Sequence, residues 1–169
     1  MHMFQKDQFV IHPRYGAGKI VDLVTTQIRN TPKIFYIINP LLREIVIKIP
    51  TDSAEQVGLR SPMPASELDS FLSFLAEPFE EIQIFSRPAK LIKEIDLADP
   101  QYVLNVIKNL FYEKIERQRE GRNLPLTKRR LYSTAISLLA SEISVVSSCT
   151  LEEACFVVKK SLIFMPRKL

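Results

Sequence analysis

The sequence predicts an α+β fold in which a small, strongly bent β-sheet or barrel precedes an all-helical part. Over the first 60 residues, short runs rich in Ile, Val, Phe and Tyr alternate with turns that contain proline or glycine. From residue 61 the apolar residues recur at helical spacing, and helix-capping residues flank the longer runs. The 169 residues are 46% hydrophobic and 25% charged, which is typical of a folded globular chain.

Proline and glycine divide the N-terminal part into four predicted strands, at residues 9–11, 19–26, 34–38 and 44–49. A turn over residues 12–18, which contains Pro13, Gly16 and Gly18, separates the first two strands. Pro40 ends the third strand, and Pro50 ends the fourth. Several short strands joined by close turns favour a sheet that bends onto itself.

Four helices are predicted in the second part of the chain. A short amphipathic helix ends before Pro78, and residues 77–84 resemble a linker. The three later helices are predicted from their boundary signals, which are Asp99 before Pro100, the stop at Gly121, a cap at Thr127 and a capping box of Thr150 and Glu153. The predicted division is therefore a β domain at 1–60, a short helix and acidic linker at 61–84, and a helical domain at 85–169.

The charges are unevenly distributed along the chain. The net charge is +4, yet residues 61–84 contain no lysine or arginine and separate two basic parts. The more basic part is the C-terminal one, which suggests that it binds a polyanion. A solvated charged surface explains the same pattern, and charge alone does not separate the two interpretations.

No motif for catalysis or for a cofactor is found. The chain lacks a P-loop, a GxGxxG fingerprint, an HExxH motif and zinc-finger spacing. His2 and His12 have no nearby carboxylate or cysteine arrangement that would make a catalytic base or a metal site, and Cys149 and Cys155 are interpreted as helical thiols. We therefore expect a non-enzymatic protein without cofactor, metal, small-molecule substrate or membrane segment. The absence of a signal-like apolar run predicts a cytoplasmic location.

Four segments carry a resemblance to a known family. Residues 10–20 are similar to the opening of CarD/CdnL transcription regulators, where a strand enters a Pro-x-x-Gly-x-Gly turn, and transcription-repair coupling factors share this opening. Residues 47–50 and 57–60 resemble the strand and the Val-Gly-Leu-Arg motif that close the same domain. Residues 135–142 resemble an Ala-x-x-Leu-Leu-x-x-Glu stretch in a long helix of the family's second domain.

The resemblance implies a Tudor-like β domain that binds the RNA polymerase β subunit and a helical domain that binds promoter DNA at the upstream edge of the bubble. Phe85 stands where the family has a tryptophan that wedges into the minor groove, just before the Ser86 to Lys90 run. A core residue that anchors the linker is the alternative for Phe85. The predicted nucleic-acid contacts are Phe85, Arg87, Lys90, Lys93, Lys114, Arg117, Lys128, Arg129 and Arg130.

On the polymerase side, the resemblance implies an exposed strand edge and two arginines. Their positions correspond to Thr26 and Lys48, so bidentate pairing with a carboxylate is lost at both, although Lys48 keeps the charge. An interior strand is the alternative to an exposed edge. The predicted polymerase contacts are Thr26, Glu44, Ile45, Val46, Ile47, Lys48 and Ile49.

These observations predict a nucleoid-associated regulator of transcription initiation. It would bind the polymerase β subunit and double-stranded promoter DNA, largely independently of sequence, and stabilise the open complex. The alternative is a protein–protein adaptor whose helical half binds a second protein and never contacts DNA.

Overall fold

A computed structural model describes residues 4–78 and 99–163 of the chain. The predicted α+β class is confirmed, because an antiparallel sheet is followed by helices. The sheet has the order β1-β2-β3-β4. Its strands are β1 (Phe9–His12), β2 (Gly16–Ile28), β3 (Thr31–Pro40) and β4 (Ile47–Pro50).

The longest ladder joins β2 to β3 through a two-residue turn. Ile28 pairs with Thr31, and Arg29 and Asn30 between them have φ values of 49° and 63°. Positive φ at both central residues gives a turn whose twist matches that of the two strands. A register shift between Ile20 and Asp22 interrupts this ladder. Such bulges increase the local twist and bend of the sheet.

The fourth strand is shorter than the predicted strand at 44–49. Residues 41–44 form turns and bends instead, residues 45 and 46 have no regular structure, and the ladder with β3 begins at Ile47. The Ile45 N–H donates to the carbonyl oxygen of Arg43 at 2.9 Å, which closes a tight turn that is incompatible with an extended strand. Glu44, Ile45 and Val46 are therefore in a loop that leads into the strand.

The described helices are α1 (Ala54–Val57), α2 (Ala65–Ala76), α3 (Pro100–Arg119), α4 (Leu126–Val146) and α5 (Leu151–Ile163). The predicted cap at Asp99 is confirmed, because its side chain accepts from the Tyr102 N–H at 3.1 Å. The capping box is confirmed by hydrogen bonds in both directions between Thr150 and Glu153. The predicted cap at Thr127 is wrong, because α4 begins at Leu126 and Thr127 lies inside the helix. The residue before the helix, Pro125, makes no side-chain cap.

No single helix in the described parts is both long and apolar enough to cross a membrane. The α4–α5 pair, bent by 116°, passes that test of length and composition only when the two helices are taken together.

Two groups of buried side chains form the interior. The first lies within the sheet and its following turn, and its largest fully buried members are Tyr36, Ile20 and Ile38. The second joins α2, α3, α4 and α5, and it also includes Ile11 and Ala17 from β1 and β2. The β domain therefore contributes two buried residues to the helical core, and the two parts pack directly against each other.

The first residues of β2 lie directly against α4. Gly16 has a φ of 72°, and a Cβ atom there would collide with Oγ of Ser141 on α4. This hydroxyl is held in place, because it accepts from the Ala17 N–H at 2.9 Å and donates to the Leu138 carbonyl oxygen at 2.7 Å. The glycine of the Gly-x-Gly turn is thus required by the contact with α4 as well as by its own backbone conformation.

We expect Gly16→Ala to lower the free energy of unfolding by about 2–4 kcal/mol, from left-handed backbone strain and the collision with Ser141. Gly121→Ala is the matched control, because Gly121 has a similar φ of 70° but open space around it. The control should lose only about 1–2 kcal/mol. Urea unfolding of both variants measures the difference, and equal losses would contradict a tight contact at Gly16.

Candidate functional site

The predicted basic residues of the helical part differ in their surroundings. Lys128 is buried, with 9% of its side chain exposed, and its Nζ lies 2.8 and 2.6 Å from the two carboxylate oxygens of Glu113. Arg117 donates to the same carboxylate at 2.8 Å, one helical turn away. The charge of Lys128 is therefore buried and already paired, and its contact with nucleic acid stays a prediction. Arg117 is partly exposed but also paired.

The Glu113 carboxylate is the centre of this three-residue cluster. Burial by itself would raise its pKa, but the hydrogen bonds and positive charges of Lys128 and Arg117 outweigh burial, so the pKa of Glu113 lies below its usual value of 4.5. The cluster links the C-terminal half of α3 to the first turn of α4. Its role is structural, since it neutralises charges between two packed helices.

Lys114, Arg129 and Arg130 differ from that cluster, because no ion-pair partner is found for them in the described residues. Lys114 and Arg129 line one cavity of about 220 Å³ together with Gln118 and Tyr132. Arg130 lies next to Arg129 on α4 and is exposed. Burial raises the pKa of Tyr132 to about 12, so its hydroxyl group stays neutral and adds no negative charge to the cavity. These three cations are available to an anionic partner.

Four predicted nucleic-acid contacts, namely Phe85, Arg87, Lys90 and Lys93, lie outside the described residues. Their roles stay predictions.

The β domain has an edge at β4, which is the last strand of the described sheet and pairs with β3 alone. In the described sheet, β4 is therefore an edge strand and not an interior strand. Ile47, Lys48 and Ile49 form this edge strand, and Ile49 points into the core with 4% exposure. In the loop before the strand, Ile45 and Val46 are exposed, with Val46 at 66%.

The structure brings together the two positions that the resemblance assigned to arginines. Nζ of Lys48 donates to Oγ1 of Thr26 at 3.1 Å, although the two residues are on strands separated by β3. On its way the Lys48 side chain covers Phe35, whose ring centroid is 4.5 Å from Nζ. Thr26, Phe35 and Lys48 thus form one outer face of the sheet, and the exposed side chains of Val24 and Ile28 lie on β2 close to them.

Residues 4–62 match the model of the CarD-like/TRCF RID domain. The N-terminal part of the chain is therefore similar to this domain family. The predicted resemblance is thereby confirmed for the β domain, and the matched range ends two residues after Arg60. The RID domain is an RNA polymerase interaction domain, so the match indicates an interaction with RNA polymerase for this part of the chain.

Two residues of the motifs that resemble the family, Arg60 and Glu142, contact each other, and the sequence did not predict this contact. Arg60, the last residue of the Val-Gly-Leu-Arg motif, donates to both carboxylate oxygens of Glu142 at 2.6 and 2.7 Å. Glu142 ends the Ala-x-x-Leu-Leu-x-x-Glu stretch and is fully buried. The signal available in the sequence is the helical spacing of Glu142 with Leu138 and Leu139, which places a carboxylate on an apolar helix face, where it needs a cationic partner.

Residues 4–78 and 99–163 contain no group of three or more His, Cys, Asp or Glu side chains that could hold a metal ion.

We expect Lys128→Met to lower the free energy of unfolding by about 1–3 kcal/mol, because Glu113 stays buried with only Arg117 as its partner. The neighbouring exposed Arg129→Met should change stability by less than about 0.5 kcal/mol. The lowered pKa of Glu113 means that the cluster stabilises fully above pH 4.5 and loses its contribution as the pH falls through the folded-state pKa. Unfolding at pH 7 and pH 3 should therefore show a smaller effect of Lys128→Met at pH 3. An effect no larger than that of Arg129→Met at pH 7 would contradict the structural role.

Proposed function

We propose that this protein is a non-enzymatic regulator of transcription initiation that binds the RNA polymerase β subunit through its RID domain and promoter DNA through its helical half. It acts in the cytoplasm, at the nucleoid, and stabilises the open complex. One observation carries the proposal: a polymerase-binding domain is packed directly against helices that present Lys114, Arg129 and Arg130, three cations without a carboxylate partner in the described residues.

The polymerase contact is assigned to the β4 edge and the outer face beside it. An edge strand has backbone N–H and C=O groups that a strand of a partner can pair with, and this pairing depends little on side chains. Val46, in the loop just before this edge, exposes a large apolar side chain, and Lys48 supplies a positive charge. A β-strand with apolar residues and a neighbouring carboxylate is the partner that this surface fits.

The DNA contact is assigned to the cations of α3 and α4. Lysine and arginine side chains without carboxylate partners can neutralise phosphates and release counterions, a contribution that is independent of base sequence. Phe85, Arg87, Lys90 and Lys93 extend this surface in the proposal, with Phe85 as an apolar wedge at a base step. The paired residues Arg117 and Lys128 are left out, since they would have to abandon Glu113 first.

Stabilisation of the open complex requires that the protein bind the open promoter better than the closed one. A difference of about 1.4 kcal/mol in binding free energy between the two promoter states shifts the equilibrium tenfold. A few additional phosphate contacts, or one apolar wedge residue, can supply a difference of this size. The lifetime of the open complex, measured with and without the protein, tests the proposal directly. An unchanged lifetime in the presence of bound protein would contradict it.

For the polymerase contact, we expect Lys48→Glu to weaken polymerase binding about threefold to tenfold, because a repulsion replaces an exposed attraction of about 0.2–1 kcal/mol. Lys159→Glu is the control, since it makes the same charge change at an exposed position of α5. Affinities of the full-length variants for purified polymerase provide the measurement. Equal weakening by both changes would indicate a general charge effect and exclude a specific contact at Lys48.

For the DNA contact, we expect Lys114→Ala and Arg129→Ala each to weaken the protein's association with a polymerase–promoter complex. The logarithmic salt slope should become shallower by about one for each phosphate that is no longer neutralised. Arg119→Ala is the control, because this exposed arginine already pairs with Glu116 at 2.7 Å. If the variants and the control have the wild-type slope, the helical half is a protein-binding adaptor and the cations are a solvated surface.

A further inference from the structure

The contact between the RID domain and the helical half is built around one buried ion pair. Arg60 follows the last turn of the RID domain, and its guanidinium group makes two hydrogen bonds to Glu142 on α4, at 2.6 and 2.7 Å. The Glu142 side chain is fully buried, and 24% of the Arg60 side chain is exposed. The two residues are 82 positions apart in the chain, so the pair is a long-range contact between two separate elements.

Further hydrogen bonds surround this pair, and we name the whole set the interdomain joint. The Met63 N–H donates to Oε1 of Glu142 at 2.7 Å, and the Ala17 N–H donates to Ser141 at 2.9 Å. Arg60 is also held from the sheet side, because its backbone pairs with Ile11 of β1 in both directions, at 2.8 and 3.1 Å. Consecutive residues of α4 are thereby bonded to two separate parts of the N-terminal chain, the start of β2 and residues 60–63.

The geometry of the pair restrains orientation more than it adds stability. A planar guanidinium group that makes two parallel hydrogen bonds to one carboxylate fixes both distance and rotation, which a single hydrogen bond or an apolar contact does not. Buried ion pairs, in contrast, are often matched in stability by apolar side chains of similar size, because desolvation offsets the attraction. A buried pair at this place is therefore better explained by the orientation that it imposes.

We propose that Arg60 and Glu142 are positioning residues, which hold the helical half at one angle to the RID domain and thereby set where its cations meet DNA on a polymerase-bound promoter. The inference rests on the proposed function. A chain of this length has a radius of gyration of about 15 Å, so a rotation of about 15° at the joint displaces the far surface by about 4 Å. This displacement exceeds the reach of a hydrogen bond, so phosphate contacts depend on the angle.

The test compares the double variant Arg60→Met/Glu142→Met with the wild type. Methionine at both positions keeps apolar packing and leaves no buried charge unpaired, so the variant is expected to fold. Arg60→Lys is the conservative variant, which keeps the charge and loses the two-pronged geometry. Arg119→Met is the control, because it removes an ion pair that lies within α3 alone.

Two measurements follow on the full chain. The first is the distance distribution between two spin labels, introduced through unnatural amino acids at the exposed Gln27 and Ser133 so that Cys149 and Cys155 stay intact. The second covers function: for each variant, the affinity for polymerase and the lifetime of the open complex are measured. We expect the double variant to broaden the distribution, keep polymerase affinity within about twofold, and lose most of the lifetime gain. Arg60→Lys should fall between it and the wild type, and Arg119→Met should match the wild type.

A folded double variant with a distribution as narrow as the wild type would overturn the inference. A broadened distribution with an unchanged lifetime gain would overturn it as well and leave the proposed function standing. If the wild type itself does not lengthen the lifetime while it is bound to polymerase, the proposed function is wrong and the inference falls with it. If the double variant does not fold, Arg60→Lys replaces it. A distance distribution as narrow as the wild type, or an unchanged lifetime gain with a broadened distribution, then overturns the inference.

Discussion

The fully buried carboxylate of Glu142 is the constraint on which the arrangement of the chain depends. A buried charge is tolerated only where cationic and N–H donors surround it, and here they come from Arg60 and Met63. The segment that leaves the RID domain must therefore lie against α4. This brings Ile11 and Ala17 into the helical core and presses Gly16 against Ser141. The packing of the two parts follows from satisfying one carboxylate.

The same rule separates structural from available basic residues. Lys128 is buried because it neutralises Glu113, and Lys108 is buried where its Nζ donates to the Phe74 carbonyl oxygen in the last turn of α2. Burial lowers the pKa of Lys108, as expected for an ammonium group removed from water. The number of basic residues in the C-terminal part is therefore larger than the number of cations that are exposed to a polyanion. Lys114, Arg129 and Arg130 have no ion-pair partner among the described residues, and they are the basis of the proposed DNA contact.

Under the proposed function, the protein links two weak contacts, one at a strand edge and one at exposed cations. A link of this kind raises the effective concentration of the second contact only where the geometry allows both contacts at once. A joint with paired hydrogen bonds keeps that geometry, since less conformational freedom is lost when the second contact forms. On the polymerase side, Lys48 spans the outer face to Thr26 and covers Phe35, so one cation over an apolar surface stands where the resemblance implied two arginines.

The sequence by itself determined the elements that depend on neighbouring residues. Four strands, the Asp99 cap and the Thr150–Glu153 box were predictable because turn residues and caps act within a few positions, and the Gly-x-Gly turn and Val-Gly-Leu-Arg motif were sufficient to indicate the RID domain. Only the tertiary structure decided that the fourth strand starts at Ile47, that Lys128 is buried and that Arg60 meets Glu142. The pairing of Lys128 with Glu113 and of Arg60 with Glu142 depends on which helix faces pack together, over separations of 15 and 82 residues. Spacing places the Glu142 carboxylate among the core positions of α4, but it does not show which cation pairs with that carboxylate, because the partner lies on another element.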